Sequence, residues 1–248
     1  MFEDLKPHII ELRKRLFISV LTVIVLFLIC FGFWEFFLEL MLAPLKKVLP
    51  EGSEVIFTHP AEAFFTSMKV SFFVAILLSL PIIFWQFWLF VAPGLYDNEK
   101  KYVIPFVTSA STMFALGCAF CYFFVTPLAF NFLINFGSGT FTAMPRIGEF
   151  VGFFTKFLIA FGLSFELPIV TFFLALVGLI TNKSLSDFFR YAVVFIFLFA
   201  ALMTPPDVIS QFLLAGPLIV LYLLSIYIAK LVNPYKPEDD LSEDIEDE

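Results

Sequence analysis

From Leu16 to Trp34, nineteen consecutive residues carry no charge. A helix needs about 20 apolar residues to cross about 30 Å of hydrocarbon, so this run is long enough to span a membrane. Five more apolar runs follow. Val70 to Val91 is broken by Pro81. Val103 to Phe130 exceeds a span, with Pro105 near its start and Pro127 near its end, and predicts tilt or curvature. A fourth run, from about Phe150 to Ile180, contains Lys156 and Glu166; Tyr191 to Met203 and Val208 to Ala229 complete the set. The chain is 60% hydrophobic and 15% charged, whereas a soluble domain carries about 25% charged residues. The expected fold is an all-α integral membrane protein with six transmembrane helices, at about 16–36, 70–91, 103–130, 150–180, 191–203 and 208–229, curved around a membrane-exposed concavity. These form one membrane domain, residues 1–232.

The fifth run is short, with thirteen residues, or about 20 Å of helix. MTPPDV follows it, and Pro205-Pro206 removes two consecutive N–H donors. The expectation is a tight hairpin with short fifth and sixth helices. Six spans put both termini on one side. That side holds Lys6, Arg13, Lys14, Arg15, Lys100, Lys101, Lys183, Arg190, Lys230 and Lys236, ten of the fifteen basic residues. The positive-inside rule makes it the cytoplasm, and the two larger loops, 35–69 and 131–149, face outward. No cleavable signal peptide is evident.

The net charge of −7 is dominated by the tail PEDDLSEDIEDE, which holds eight of the 22 acidic residues. Residues 233–248 are expected to be a disordered, solvated cytoplasmic tail. The remainder is near neutral, which gives no case for nucleic-acid binding. Cys118 and Cys121 form a CAFC spacing inside an apolar run. No basic residue nearby stabilises a thiolate, so they read as small residues filling helix contacts. No GxxxxGK[ST], HExxH or GxSxG occurs. His8 and His59 lie on opposite sides of the expected membrane, so no metal site and no cofactor are expected. The pattern is that of a binding or transport component, not an enzyme.

Several charges sit awkwardly. Glu166, in AFGLSFELPIV, lies well inside the fourth run. A carboxylate at the bilayer centre costs about 2.5–3.5 kcal/mol on insertion scales, so it is protonated, paired, or turned toward water or protein. Pro168, two residues on, predicts a kink. Asp207 in TPPDVISQ reads as an N-cap, with or without a further role. Gln211, one turn later, seeks an interhelical hydrogen bond. In HIIELRKRLF, Glu11 is an i,i+4 partner for Arg15, and the arginines anchor the topology. In the loop FVAPGLYDNEKK, Lys100 and Lys101 set topology, whereas Glu99 has no topological explanation.

HIIELRKRL before the first span, APL at 43–45, PIIFWQFWLFVAPGLYDNEKK at 81–101, FGLSFELP at 161–168 and TPPDVISQ at 204–211 together resemble the TatC family. That family is the integral receptor of the twin-arginine translocase, in the inner membrane. The resemblance covers nearly the whole chain apart from the acidic tail. It implies recognition of signal peptides bearing an Arg-Arg pair, assembly with the single-span proteins TatA and TatB in a multimeric complex, and export of folded proteins driven by the proton-motive force. Carried over residue by residue, it puts signal-peptide binding at Glu11, Arg13, Phe90 and Glu99. Structural or translocation roles fall on Pro44, Pro93 and Asp207, and intramembrane polar or partner-docking roles on Glu166, Thr204 and Gln211. Gly94 stands where many members have alanine.

Physical chemistry agrees with two carboxylates for two guanidinium groups, since arginine binds carboxylate as a bidentate fork that lysine lacks. Fully exposed pairs contribute only about 0–1 kcal/mol, so the carboxylates must be held partly dehydrated at fixed spacing. Two other readings remain. One is a proton-coupled small-solute transporter using Glu166, which the absence of a visible inverted repeat disfavours. The other is a scaffold that anchors partners through the last hairpin.

Overall fold

The computed structural model describes residues 2–50, 52–91, 103–136, 143–204 and 207–234. Among them the helices are α1 (Phe2–Gly32), α2 (Trp34–Lys46), α3 (Glu62–Val91), α4 (Val103–Phe120), α5 (Thr126–Asn135), α6 (Ile147–Phe165), α7 (Leu167–Leu176), α8 (Asn182–Met203) and α9 (Val208–Val232), with a π-helical turn, Cys121–Val125, joining α4 to α5. Hydrocarbon offers backbone groups no hydrogen bonds, so a spanning segment must satisfy them internally, and the helix does so within one segment. Six stretches are long and apolar enough to cross: Ile9–Gly32, Glu62–Phe90, Ile104–Asn135, Ile147–Leu176, Asn182–Met203 and Val208–Val232. Each expected span is therefore present. The acidic tail beyond residue 234, the loop with Pro93, Gly94 and Glu99, and Pro205-Pro206 lie outside the described residues.

Several details of the helices differ from expectation. The first span ends at Gly32, a weak helix former, and Phe33 (φ −117°, ψ 28°) turns the chain into the separate helix α2. The second is not broken at Pro81, which lies inside a continuous α3. The fourth stops at Leu176 instead of Ile180, beyond the interruption at Glu166 that Pro168 predicts. Gly178 at φ +82° closes that end, donating to the Ala175 carbonyl at 3.1 Å while Leu179 donates to Leu174 at 2.9 Å. The fifth and sixth helices are not short, at 22 and 25 residues. Hydropathy measured only their apolar parts. Helix α8 begins two turns earlier in a polar stretch, where the Thr181 side chain caps Ser184 N–H at 3.3 Å.

The chain forms two compact units, Met1–Ile159 and Ala160–Glu248. In the first, α1 packs along α3, and α3 also contacts α2 and α4. Phe150, Phe154 and Phe157 form a buried stripe on α6 at helical spacing. Phe130 of α5 lies 4.8 Å from Phe150 between ring centroids, and the Cys118 thiol donates to the Leu158 carbonyl at 3.5 Å. Cys118 and Cys121 are buried packing residues, as their surroundings predict. In the second unit, α9 packs against α7 and α8. Ala192, Ala200, Ala215, Ser225 and Ala229 are buried there, and small side chains let membrane helices approach closely.

The two larger loops meet. Ile56 pairs with Arg146 in a single parallel bridge; Ile56 N–H donates to Pro145 at 3.1 Å and Ile147 N–H to Ile56 at 2.9 Å. Glu62 fastens this end. Its carboxylate accepts from Thr58 N–H at 2.9 Å and from Gly148 N–H, in the first turn of α6, at 3.0 Å, with Arg146 at 3.8 Å. A Cβ at residue 148 would stand 2.9 Å from the same carboxylate, so glycine allows the approach. In the second unit, Asn233 donates to the Ile180 carbonyl at 3.0 Å, setting the end of α9 beside the start of α8. If Glu62 is the fastening, Glu62→Ala speeds hydrogen exchange at the amides of Ile56, Thr58 and Gly148 while the spanning helices keep their protection. Unchanged exchange at these amides would show that the bridge holds without it.

Candidate functional site

One polar cluster of the first unit lies where α1 enters its apolar run. The helical spacing sets Glu11 and Arg15 on one face, and Arg15 Nη2 lies 3.2 Å from Glu11 Oε1. The other terminal nitrogen, Nη1, donates to Gln86 Oε1 of α3 at 3.3 Å. The side chains are partly dehydrated, Arg15 at 24% and Glu11 at 34% exposure. The rotation of α3 is fixed by Trp88, 1% exposed and 4.6 Å from the Phe106 ring of α4. Residues two positions away from Trp88 point to the opposite side of the helix. Gln86 therefore faces α1, and Phe90, one turn further, shares that face.

The structure thus brings Glu11 beside the Phe90 face of α3 through Arg15 and Gln86. Arg13 is exposed, and its spacing puts it on a different face of α1 from Glu11. Glu99 lies outside the described residues. Gln86 was missed in the sequence. Its signal was available, since a lone glutamine in the run 70–91 obeys the same rule that singled out Gln211.

A second group of polar residues lies in the second unit. Glu166 sits between α6 and α7, buried at 8% exposure, where the helix is interrupted as Pro168 predicts. Glu166 N–H bonds the Leu163 carbonyl at 3.1 Å, an i,i+3 contact, and the Glu166 carbonyl accepts from Val170 N–H at 2.9 Å. Thr204 ends α8; its N–H and its hydroxyl both donate to the Ala200 carbonyl at 2.9 Å. Asp207 is the N-cap of α9, accepting Ser210 N–H at 2.7 Å. Gln211 Nε2 donates across to the Phe197 carbonyl of α8 at 3.1 Å, the interhelical bond expected of it. In the first unit, Pro44, inside α2, is buried.

These positions can be set against known proteins. The family model for the Sec-independent protein translocase protein TatC matches residues 7–217. The chain belongs to the TatC family. A relative from Campylobacter jejuni is 58% identical over 98% of this chain and 100% of its own length. One from Helicobacter pylori is 51% identical over 97% of this chain and 92% of its own. Both are Sec-independent protein translocase proteins TatC. A crystal structure of the twin-arginine translocase receptor TatC superposes with a TM-score of 0.83 at 38% identity, covering 91% of this chain and 99% of that one. The chain is accordingly a multi-pass inner-membrane component of protein transport.

Within this family frame, Asp207 separates two contributions by substitution. Asp207→Ala removes the cap and costs about 1 kcal/mol, read by unfolding in bicelles, whereas Asp207→Ser keeps a capping oxygen and stays near wild type. Full export by the serine variant means that the residue acts only as a cap. Export lost at native stability means that its carboxylate does more.

Proposed function

We propose that this chain is the signal-peptide receptor of a twin-arginine translocase, with Glu11 and Glu99 holding the arginine pair. The observation that carries this reading is that Glu11 already holds a guanidinium in a partly dehydrated setting, with Gln86 as a second acceptor. Charge-assisted bonds of this kind are about twice as strong as neutral ones, and partial burial reduces screening by salt. The Phe90 face of α3 continues the site with apolar surface for the segment that follows the arginines. In this reading TatA- and TatB-type helices dock at the α8–α9 hairpin near Thr204 and Gln211, and the proton-motive force drives export of folded cargo. Glu166 serves insertion of partner or signal peptide.

Glu11→Ala and Glu99→Ala each weaken photocrosslinking of an Arg-Arg signal peptide from position 90, and the double variant abolishes it, while membrane insertion is retained. Wild-type crosslinking in the double variant sinks the site assignment. Replacing the peptide's Arg-Arg by Lys-Lys has an effect of the same sign, since lysine cannot bond both acceptors as a fork.

Partner docking has its own test. Gln211→Leu removes one interhelical bond, worth about 0.6 kcal/mol on average in membranes. Its stability therefore changes little, while crosslinks to a TatA- or TatB-type helix fall severalfold. Unchanged crosslinks place docking elsewhere.

A further inference from the structure

Proline has no N–H. Within α2, Pro44 therefore deprives the Leu40 carbonyl of the donor that the i,i+4 ladder would supply. Leu40 is 49% exposed, and α2 lies outside the six spanning stretches. The missing donor comes from far along the chain. Tyr122 hydroxyl donates to the Leu40 carbonyl at 2.8 Å, across 82 residues of sequence.

Tyr122 lies in the π turn, and a second proline accounts for that turn. Pro127 also lacks an N–H, and its ring would crowd the carbonyl four residues back. The ladder responds by widening, and Thr126 N–H donates to Cys121, five residues back. Phe123 and Phe154 hold the tyrosine ring, with centroids 4.9 and 6.0 Å away. Leu40 and Tyr122 also border an apolar cavity of about 270 Å³ with Phe37, Met41, Phe73 and Phe154. The hydroxyl is thus a polar tie between α2 and the π turn beside a surface that is otherwise apolar.

We propose that Tyr122 is a positioning residue, which locks α2 to the π turn by filling the acceptor that Pro44 vacates. The two residues form one device: the proline creates the vacancy, and the tyrosine uses it to fix the helix that follows the first span. Its bearing on export rests on the translocase reading, whereas the lock itself does not.

The test is a double-mutant cycle on the full chain in bicelles, with wild type, Tyr122→Phe, Pro44→Ala and the double variant. In the wild-type background, losing the hydroxyl lowers the folded-to-unfolded ratio about fivefold. In the Pro44→Ala background residue 44 itself supplies Leu40 with a donor, and the same loss falls below about twofold. Equal losses in both backgrounds overturn the lock. Where Pro44→Ala fails to fold, a carbonyl isotope label at Leu40 replaces the cycle. Its infrared band moves to higher frequency in Tyr122→Phe, and an unmoved band overturns the proposal. Export of a folded Arg-Arg cargo is measured alongside, and Tyr122→Phe lowers it severalfold while peptide crosslinking at position 90 stays at the wild-type level. Coupled stability with unimpaired export keeps the lock and overturns its part in translocation. A wild-type protein that captures no Arg-Arg peptide fails the receptor reading and leaves the stability cycle standing.

Discussion

The bilayer interior supplies no hydrogen bonds, so each backbone group inside it needs a partner from the protein. Prolines are where this requirement becomes visible. Pro127 is met by a widened turn that shifts the Thr126 bond to Cys121. Pro168 is met by interrupting the helix, with Glu166 N–H reaching only to Leu163. At Pro44, in α2 outside the six spanning stretches, a side chain from another helix likewise supplies the donor that the ladder lacks. At the start of α9, Asp207 caps Ser210. Much of what is irregular in these helices follows from a missing N–H, and several polar residues earn attention because they stand next to one.

Hydropathy made the six spans legible, because the free energy of placing an apolar run in hydrocarbon depends mainly on the run itself. Helix length was less legible. Helix α8 extends through Asn182, Lys183, Ser184 and Ser186, which polarity assigns to a loop but which a cap at Thr181 turns into helix. Pro81 leaves α3 continuous, since a helix flanked by neighbours tolerates a missing donor better than an isolated one.

The same division runs through the candidate site. Glu11 with Arg15, the Asp207 cap and the interhelical bond of Gln211 follow from local spacing, and local spacing found them. Gln86 with Arg15, Glu62 with Gly148 and Tyr122 with Leu40 join residues 71, 86 and 82 positions apart. A local pattern can flag one member, as the lone Gln86 does, but not the partner it reaches. The assignments of Glu11, Phe90 and Glu99 to one site came from family resemblance, and half of that site, the loop carrying Glu99, lies outside the described residues. The geometry around Glu11 supports the resemblance through a feature that the motif alone does not contain, the Gln86 acceptor on α3.

That feature has a thermodynamic consequence. Under the receptor reading proposed above, because Arg15 already pairs with Glu11, a guanidinium arriving from outside would meet an occupied seat and exchange with the resident. Swapping one guanidinium for another is close to thermoneutral, so the swap confers register and selectivity for arginine far more than tightness. Residence time must then come from whatever apolar segment lies against α3, and release requires only that this segment leave. A receptor built in this way lets go of its ligand without having to break a strong ion pair.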